Sequence, residues 1–336
     1  MTIIEDYLGI QFGIDQLIIL GIIYAAIRRK KSFFVDWLPF LVLWFTYDLM
    51  RGVVDDTRYI HVTQVYDWEL KLFGWMFGGQ IPNFWIQQYH TAFFDIFFAF
   101  FYTLHMPAPL IVSFLIYYKE KDRPMFKEFS GVFLLTSYLA LITFYIFPVA
   151  PPWYVWNGGQ GLRFTQPAPS SHVSQSAAGL IQVDKLLGHH FYSSFYETFN
   201  ANPYAAFPSL HSAYSIITAY YAIRKYGKKA WWMIFYPMGV WCGAVYLNHH
   251  YIIDLVAGGV YVFVSLNIVK FVRKKMGKSR SITEVQAEPE DSNGRPAKDF
   301  KYPLPAELEP EKPTNGKEAI PQTPEQVYKD QSSDQS

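Results

Sequence analysis

A single cysteine, Cys242, in 336 residues excludes a disulfide within the chain and any metal cluster built on thiolates. It lies inside an apolar run and reads as a small buried hydrophobe. Neither charge is in excess. With 29 Lys and Arg against 28 Asp and Glu the net charge is +1, so nothing draws the chain to nucleic acid. Glycine-rich nucleotide loops, a His-Glu-x-x-His zinc signature and internal repeats are all lacking. Long apolar runs are missing from 281–336, which holds 12 acidic and 6 basic residues and 8 prolines. That segment cannot bury enough apolar surface to offset its ordering entropy, and it reads as a disordered tail.

The rest of the chain is of the opposite kind. Hydrophobic residues make up 51% of the sequence and aromatics 19%, and a mean hydropathy of only +0.05 conceals the contrast between the two regions. Apolar runs occupy 14–27, 33–50, 91–118, 131–147, 207–223, 231–247 and 251–271, seven candidate membrane spans. The N-terminus has no basic stretch before its first run, so that run reads as a retained helix rather than a cleaved signal. Residues 51–90, with Trp68, Trp75 and Trp85, read as an interfacial loop containing a short amphipathic helix. Pro107 and Pro109 should bend or break the third run. Of the 29 Lys and Arg, 18 fall in the loops after runs one, three, five and seven, which places those loops and the tail in the cytoplasm. The expected organisation is 1–90 as N-terminal membrane helices and interfacial loop, 91–276 as a transmembrane core, and 281–336 as a cytoplasmic tail. The tail is either simply solvated or recruits an unidentified cytoplasmic partner.

The chemistry concentrates between 202 and 254. Asn202-Pro-Tyr-Ala-Ala-Phe-Pro-Ser-Leu-His211 and Asn248-His-His-Tyr-Ile-Ile-Asp254 bracket a helical hairpin whose turn is the basic stretch 224–229. Both ends therefore reach one membrane face, away from the cytoplasm, and His211, His250 and Asp254 can meet. On a helix starting near His249, His250 and Asp254 are four residues apart and share a face. A carboxylate there accepts a hydrogen bond from one imidazole nitrogen and makes the other a nucleophile. His211 is suited to proton transfer at the opposite end of the reacting group. Ser209 and the turn amides beside it sit where a helix start favours phosphate.

Each piece also has a plain structural reading. Pro-Ser-x-His is a common helix cap, and His-x-x-x-Asp a common structural hydrogen bond. His249 and Tyr251 suit the headgroup layer. The same residues could be a metal site of His211, His249, His250 and Asp254, but adjacent histidines diverge by about 100° around a helix. Co-occurrence of ionisable residues at membrane ends points to catalysis, by a phosphohistidine. Arg163 and Lys185 are the basic residues of the loop before His211, each either a phosphate ligand or a solvated charge. Asp48 and Asp95, near span ends, are either headgroup ligands or satisfied caps.

Phe207-Pro-Ser-Leu-His211 with His249-His-Tyr-Ile-Ile-Asp254 resembles the second and third signature motifs of the type 2 phosphatidic acid phosphatase superfamily. The closer likeness is to its inositol phosphorylceramide synthase branch, including the Pro-Pro-Trp of 151–153, and it spans roughly 91–271. The resemblance implies an all-α polytopic membrane protein: a six-helix core plus one extra N-terminal helix. It implies His250 as nucleophile, Asp254 as its orienting partner and His211 as general acid and then base, with no metal or other cofactor; Ser209 and Arg163 are the candidate phosphate contacts read from the residues themselves. Two departures stand out. Gly243 and Ala244 occupy the places of the superfamily's Ser-Arg, and the first motif is missing where it is expected after run four, Arg123-Pro124 lying on the cytoplasmic side. These lean away from a lipid phosphate phosphatase and toward a transferase that moves an inositol phosphate-like headgroup between membrane lipids. A non-catalytic membrane scaffold, indifferent to loss of His250, is the reading from another class.

Overall fold

The computed structural model describes residues 31–48, 59–156, 161–166, 176–199 and 202–286. The apolar run 14–27 and the tail from 287 lie outside the described residues. The chain divides into two compact units, Met1–Lys275 and Met276–Ser336. Of the second, residues 276–286 are described and are helical, so helix extends past 281, where composition places the start of the tail. No proline interrupts the sequence there until Pro289.

Among the described residues there are helices and isolated β-bridges but no strand. In chain order α1 is Lys31–Asp48, α2 Gln64–Phe73, α3 Pro82–Ile86, α4 Ala92–Thr103, α5 Pro107–Phe114, α6 Arg123–Ile146 and α7 Pro152–Trp156. They are followed by α8 Leu180–Leu187, α9 Phe191–Phe199, α10 Leu210–Tyr226, α11 Phe235–Tyr246 and α12 Ile252–Gln286. The all-α membrane architecture read from the apolar runs is therefore present. By length and composition α6 and the Ile252–Met276 part of α12 can each cross a membrane, and α4 with Pro107–Lys119 makes a third if that pair is one span. A six-helix core plus one helix is a finer count than this establishes. α10 has 17 residues and α11 only 12, and α11 is preceded by the 3₁₀ segment Gly227–Ile234.

The prolines act as expected. Pro107 opens α5, where its missing N–H costs nothing, and the pair α4 and Pro107–Lys119 bends by 46°. At α6 the Asp122 carboxylate accepts the Met125 N–H at 3.0 Å, an N-cap contact contributing about 1 kcal/mol. α10 turns Ala213, Ile217 and Tyr221, four residues apart, toward Phe126, Phe129 and Phe133 of α6 in one buried cluster. It also packs on α5 and α11, while α4 packs on α8 and α11, and α1 on α6. Outward faces are apolar: Phe93, Phe97 and Phe100 of α4 and Val260 and Phe263 of α12 are exposed, as suits lipid contact. Cys242 belongs to such a face with Phe235 and Met238. It is exposed rather than buried, because helix packing leaves that side of α11 uncovered.

The two ends of the helices differ in charge. At one end Arg123 forks onto Asp36 of α1 at 2.7 and 3.0 Å, Lys225 meets Asp122 at 2.9 Å, and Glu128 of α6 accepts from Arg224 of α10 and Arg273 of α12. Three basic loops thus converge there. Arg123, paired with Asp36, stands about 36 Å along the 24-residue α6 from Pro148 at its other end. At that other end a short ladder forms: Val149 bridges His61 on one side and Ala205 on the other. The His61 N–H donates to the Pro148 carbonyl at 2.8 Å and the Val149 N–H to that of Tyr204 at 2.9 Å.

At the ladder end α12 crosses the start of α10 so closely that a Cβ on Gly258 would stand 2.3 Å from the Ser209 carbonyl oxygen. A methyl group gains about 1 kcal/mol of helix propensity over glycine, but overpacking against a backbone atom costs roughly 1–3 kcal/mol. Gly258→Ala is therefore expected to lower the midpoint of thermal unfolding in detergent. An unchanged or higher midpoint contradicts this contact.

Candidate active site

His250 lies in the turn between α11 and α12, and the sequence explains the shape of that turn. Asn248 adopts φ +65°, a left-handed conformation that Asn tolerates better than most residues, and the N–H groups of His249 and His250 return to the Ala244 carbonyl at 2.9 and 3.2 Å. Asn83 of α3, fully buried, donates its amide to the carbonyls of Val245 at 3.1 Å and His250 at 2.9 Å. The Trp153 N–H at the start of α7 donates to the Asn248 carbonyl at 3.0 Å. Gly179 comes so near Leu247 that an added Cβ would be 2.8 Å from its Cα. The backbone bearing His250 is held on several sides.

The imidazole of His250 has two polar neighbours that fix its protons. Nδ1 lies 3.0 Å from the Ala206 carbonyl, and a carbonyl can only accept, so Nδ1 carries the hydrogen. Nε2 then holds a lone pair, and it faces His211 Nδ1 at 2.9 Å. For that contact to be a hydrogen bond, His211 Nδ1–H donates. His211 stands in the first turn of α10, and Ser209 is the N-cap of that helix: its hydroxyl accepts the Ser212 N–H at 3.3 Å and its own N–H donates to the Asp254 carbonyl at 2.9 Å. Ser209 is buried, and as the N-cap it fixes the start of the helix that carries His211.

Asp254 is also present but differently engaged. α12 begins at Ile252 rather than near His249, and the carboxylate of Asp254 accepts the Tyr251 N–H at 2.9 Å while standing 3.4 Å from His250 Nδ1. The closer partner of that ring is thus the Ala206 carbonyl, with the Asp254 carboxyl group buried beside it. The reason is local. Free N–H groups at a helix start attract the first carboxylate within reach. Burial pushes the pKa of His250 down to about 4, with the Ala206 carbonyl pulling it back up. The ring is therefore neutral at physiological pH, as a nucleophile must be.

His249 and Tyr251 are buried inside the protein, where α3, α7 and α9 cover the turn. The His249 ring packs on Tyr102 and Tyr196, with centroids at 4.5 and 5.3 Å. Tyr102 also stacks on His211 at 4.3 Å, and His105, in the break between α4 and α5, lies 3.8 Å from His211. Neither Tyr102 nor His105 is singled out by the motifs. His105 did carry a signal, since an ionisable residue inside an apolar run is a functional candidate. Asp95 is a satisfied group: it takes His90 Nδ1 at 2.6 Å and the Tyr246 hydroxyl at 2.8 Å. Lys185 is exposed on α8. Arg163 is half-buried, its guanidinium donating twice to the Tyr154 carbonyl at 3.1 and 3.0 Å and lying 4.0 Å from the Tyr154 ring. Gly243 has the Phe98 carbonyl against it and Ala244 is fully buried, which leaves no room there for an arginine.

A family model described as PAP2 superfamily matches residues 76–268. Phosphoinositol dihydroceramide synthase of Bacteroides thetaiotaomicron is 34% identical over 246 residues, covering 71% of this chain and 77% of that protein. Inositol phosphorylceramide synthase of Candida albicans is 28% identical over 172 residues, 51% of this chain and 34% of that protein. The Saccharomyces cerevisiae inositol phosphorylceramide synthase catalytic subunit is 33% identical over 127 residues, 38% and 30% respectively. The matched part thus spans about a third of those two fungal relatives. No solved structure matches the chain.

The tautomer deduced above has a direct consequence for titration. In nitrogen NMR spectra of ¹⁵N-histidine-labelled protein, the His250 ring is expected to remain neutral and Nδ1-protonated down to about pH 5. A midpoint near the ordinary histidine value contradicts the buried, carbonyl-bound geometry.

Proposed function

The chain belongs to the PAP2 superfamily, and from that premise we propose that it moves a phosphoinositol headgroup from a glycerolipid to the hydroxyl of a ceramide-type lipid, through a phosphohistidine on His250. The enzyme class and membrane setting follow from the family and the apolar helices; the substrates and the covalent step are the proposal. The observation that carries it is the His250 Nε2 lone pair facing His211 Nδ1 at 2.9 Å. The names of the relatives, a phosphoinositol dihydroceramide synthase and an inositol phosphorylceramide synthase, support the headgroup and the acceptor.

In this mechanism Nε2 attacks phosphorus of the donor phosphodiester, forming an N–P bond as the bond to the glycerolipid oxygen breaks. The departing alkoxide takes a proton from His211, whose charged form is favoured by the anionic diester beside it. His211, now neutral, accepts the proton of the acceptor hydroxyl. That oxygen attacks phosphorus, the N–P bond breaks, and both rings return to their starting protonation. The Ala206 carbonyl and Asp254 support the positive charge on the His250 ring while phosphorus is attached to it. Arg163 is the proposed counter-charge for phosphate. Its support is positional: Arg163 is docked on Tyr154, the next residue is Trp153, and the Trp153 N–H holds Asn248 two residues before His250.

The convergence of Arg123, Arg224, Lys225 and Arg273 at the far end supports a cytoplasmic assignment for that end and an extracytoplasmic site. Water as acceptor would make the same residues a phosphatase, a reading disfavoured by Gly243 and Ala244 where that activity's Ser-Arg would stand.

The test is transfer by purified full-length protein in detergent, given headgroup-labelled phosphatidylinositol and a ceramide. A new labelled lipid is expected, reduced about 1,000-fold or more in His250→Ala; release of water-soluble label instead overturns the transferase reading. Loss of a charge-assisted phosphate contact is worth about 1.5–3 kcal/mol. Arg163→Ala is accordingly expected to raise the donor KM about 10- to 100-fold, and an unchanged KM removes Arg163 from the site.

A further inference from the structure

α2 lies before the segment that matches the family model, yet it reaches the catalytic turn. Its outer edge, Trp68 and Leu72, is exposed, while Val65, Tyr66 and Glu69 face inward. Glu69 is fully buried. One carboxylate oxygen accepts the Ile252 N–H at 2.9 Å and the other accepts the Ile253 N–H at 3.1 Å. These are first-turn N–H groups of α12, which no intrahelical carbonyl can satisfy. With the Tyr251 N–H on Asp254, three successive amides beside His250 are held by two carboxylates. One of the two comes from 183 positions earlier in the chain.

A local Ser or Asn would cap this helix without burying a carboxylate, a burial that costs several kcal/mol. What a local cap cannot do is tie the turn to a second element. We propose that Glu69 is a positioning residue: its carboxylate clamps the first turn of α12 to α2 and so keeps His250 Nε2 in register with His211. The inference rests on His250 being the nucleophile. The clamp depends on charge, because both oxygens accept only in the carboxylate; the protonated acid has one oxygen committed as a hydroxyl. Burial pushes the Glu69 pKa up to about 7, the Ile252 and Ile253 N–H bonds pull it down, and Asp254 raises it further. The other titratable groups of this neighbourhood are Tyr251 beside α12 and Tyr66 and Asp67 of α2 itself. The clamp is half released at about pH 7, where Glu69 is half protonated; it is complete only well above that pH and is lost below it.

The test compares full-length wild type, Glu69→Gln and Glu69→Asp for headgroup transfer in detergent from about pH 5.5 to about pH 9. Wild type is expected to lose kcat on the acid side with a midpoint near 7. Glu69→Gln is expected to lose that acid limb and to have kcat about 10- to 100-fold lower at high pH, the cost of misplacing a reacting group by about 1 Å. Its donor KM should stay within about 2-fold. Glu69→Asp keeps the charge and should regain part of kcat together with an acid limb. If Glu69→Gln does not fold, the Asp variant decides: wild-type kcat with no acid limb overturns the proposal. A Glu69→Gln enzyme with the wild-type pH profile also overturns it. Turnover that survives His250→Ala defeats the nucleophile reading itself. Loss of turnover in His250→Ala beside an unchanged Glu69→Gln profile defeats only the role of Glu69.

Discussion

Two imidazole nitrogens 2.9 Å apart, one bearing a proton and one a lone pair, set the condition that the surrounding structure meets. Such a pair is productive only if the proton on the far side of the nucleophile is pinned, and a backbone carbonyl pins it more rigidly than a carboxylate, which can accept or, once protonated, donate. The Ala206 carbonyl does this for His250. Its position follows from the short ladder in which Val149 joins His61 to Ala205, one residue away. Segments from 61 to 254 are therefore drawn to a single end of the helices, and the close approach at Gly258 seats the start of α10 against α12.

The opposite end is held by charge. Glu128 receives both Arg224 and Arg273, and Asp36 receives Arg123, so α1, α6, α10 and α12 are fastened about one membrane thickness from the histidines. Exposed ion pairs contribute little, but carboxylates as buried as Asp36 and Glu128 cannot be left unpaired without heavy cost. Charge sorting thus serves orientation in the membrane and registry among the helices together.

Much of this is readable in residues alone, and the exceptions share a cause. Apolar runs, Pro107 and Pro109, and the alternation of basic loops indicate helices, their bend and their charged end, because each depends on side-chain identity over a local window. His211, His250 and Asp254 are recognisable through spacing. The count of spans is not, since α10 and α11 fall short of the length and apolarity that mark a span by themselves. The Ala206 carbonyl is invisible to any motif because every residue has one. The cap that the Ser209 hydroxyl makes on α10 is seen only in the fold. Asp254 looks like the ring's hydrogen-bond partner until the Tyr251 N–H competes for it. Glu69, next to an exposed Trp68, looks like a solvated charge on an amphipathic helix. Its burial depends on tertiary packing that brings α2 over α12.

The most direct measurement is capture of the covalent enzyme. Wild-type protein is mixed with phosphatidylinositol, without acceptor, then quenched rapidly in alkali, which preserves nitrogen–phosphorus bonds, and its peptides are weighed by mass spectrometry. The account predicts a phosphoinositol adduct on His250 that disappears when ceramide is added before the quench. Transfer at full rate with no adduct on His250, or an adduct on His211 instead, contradicts it.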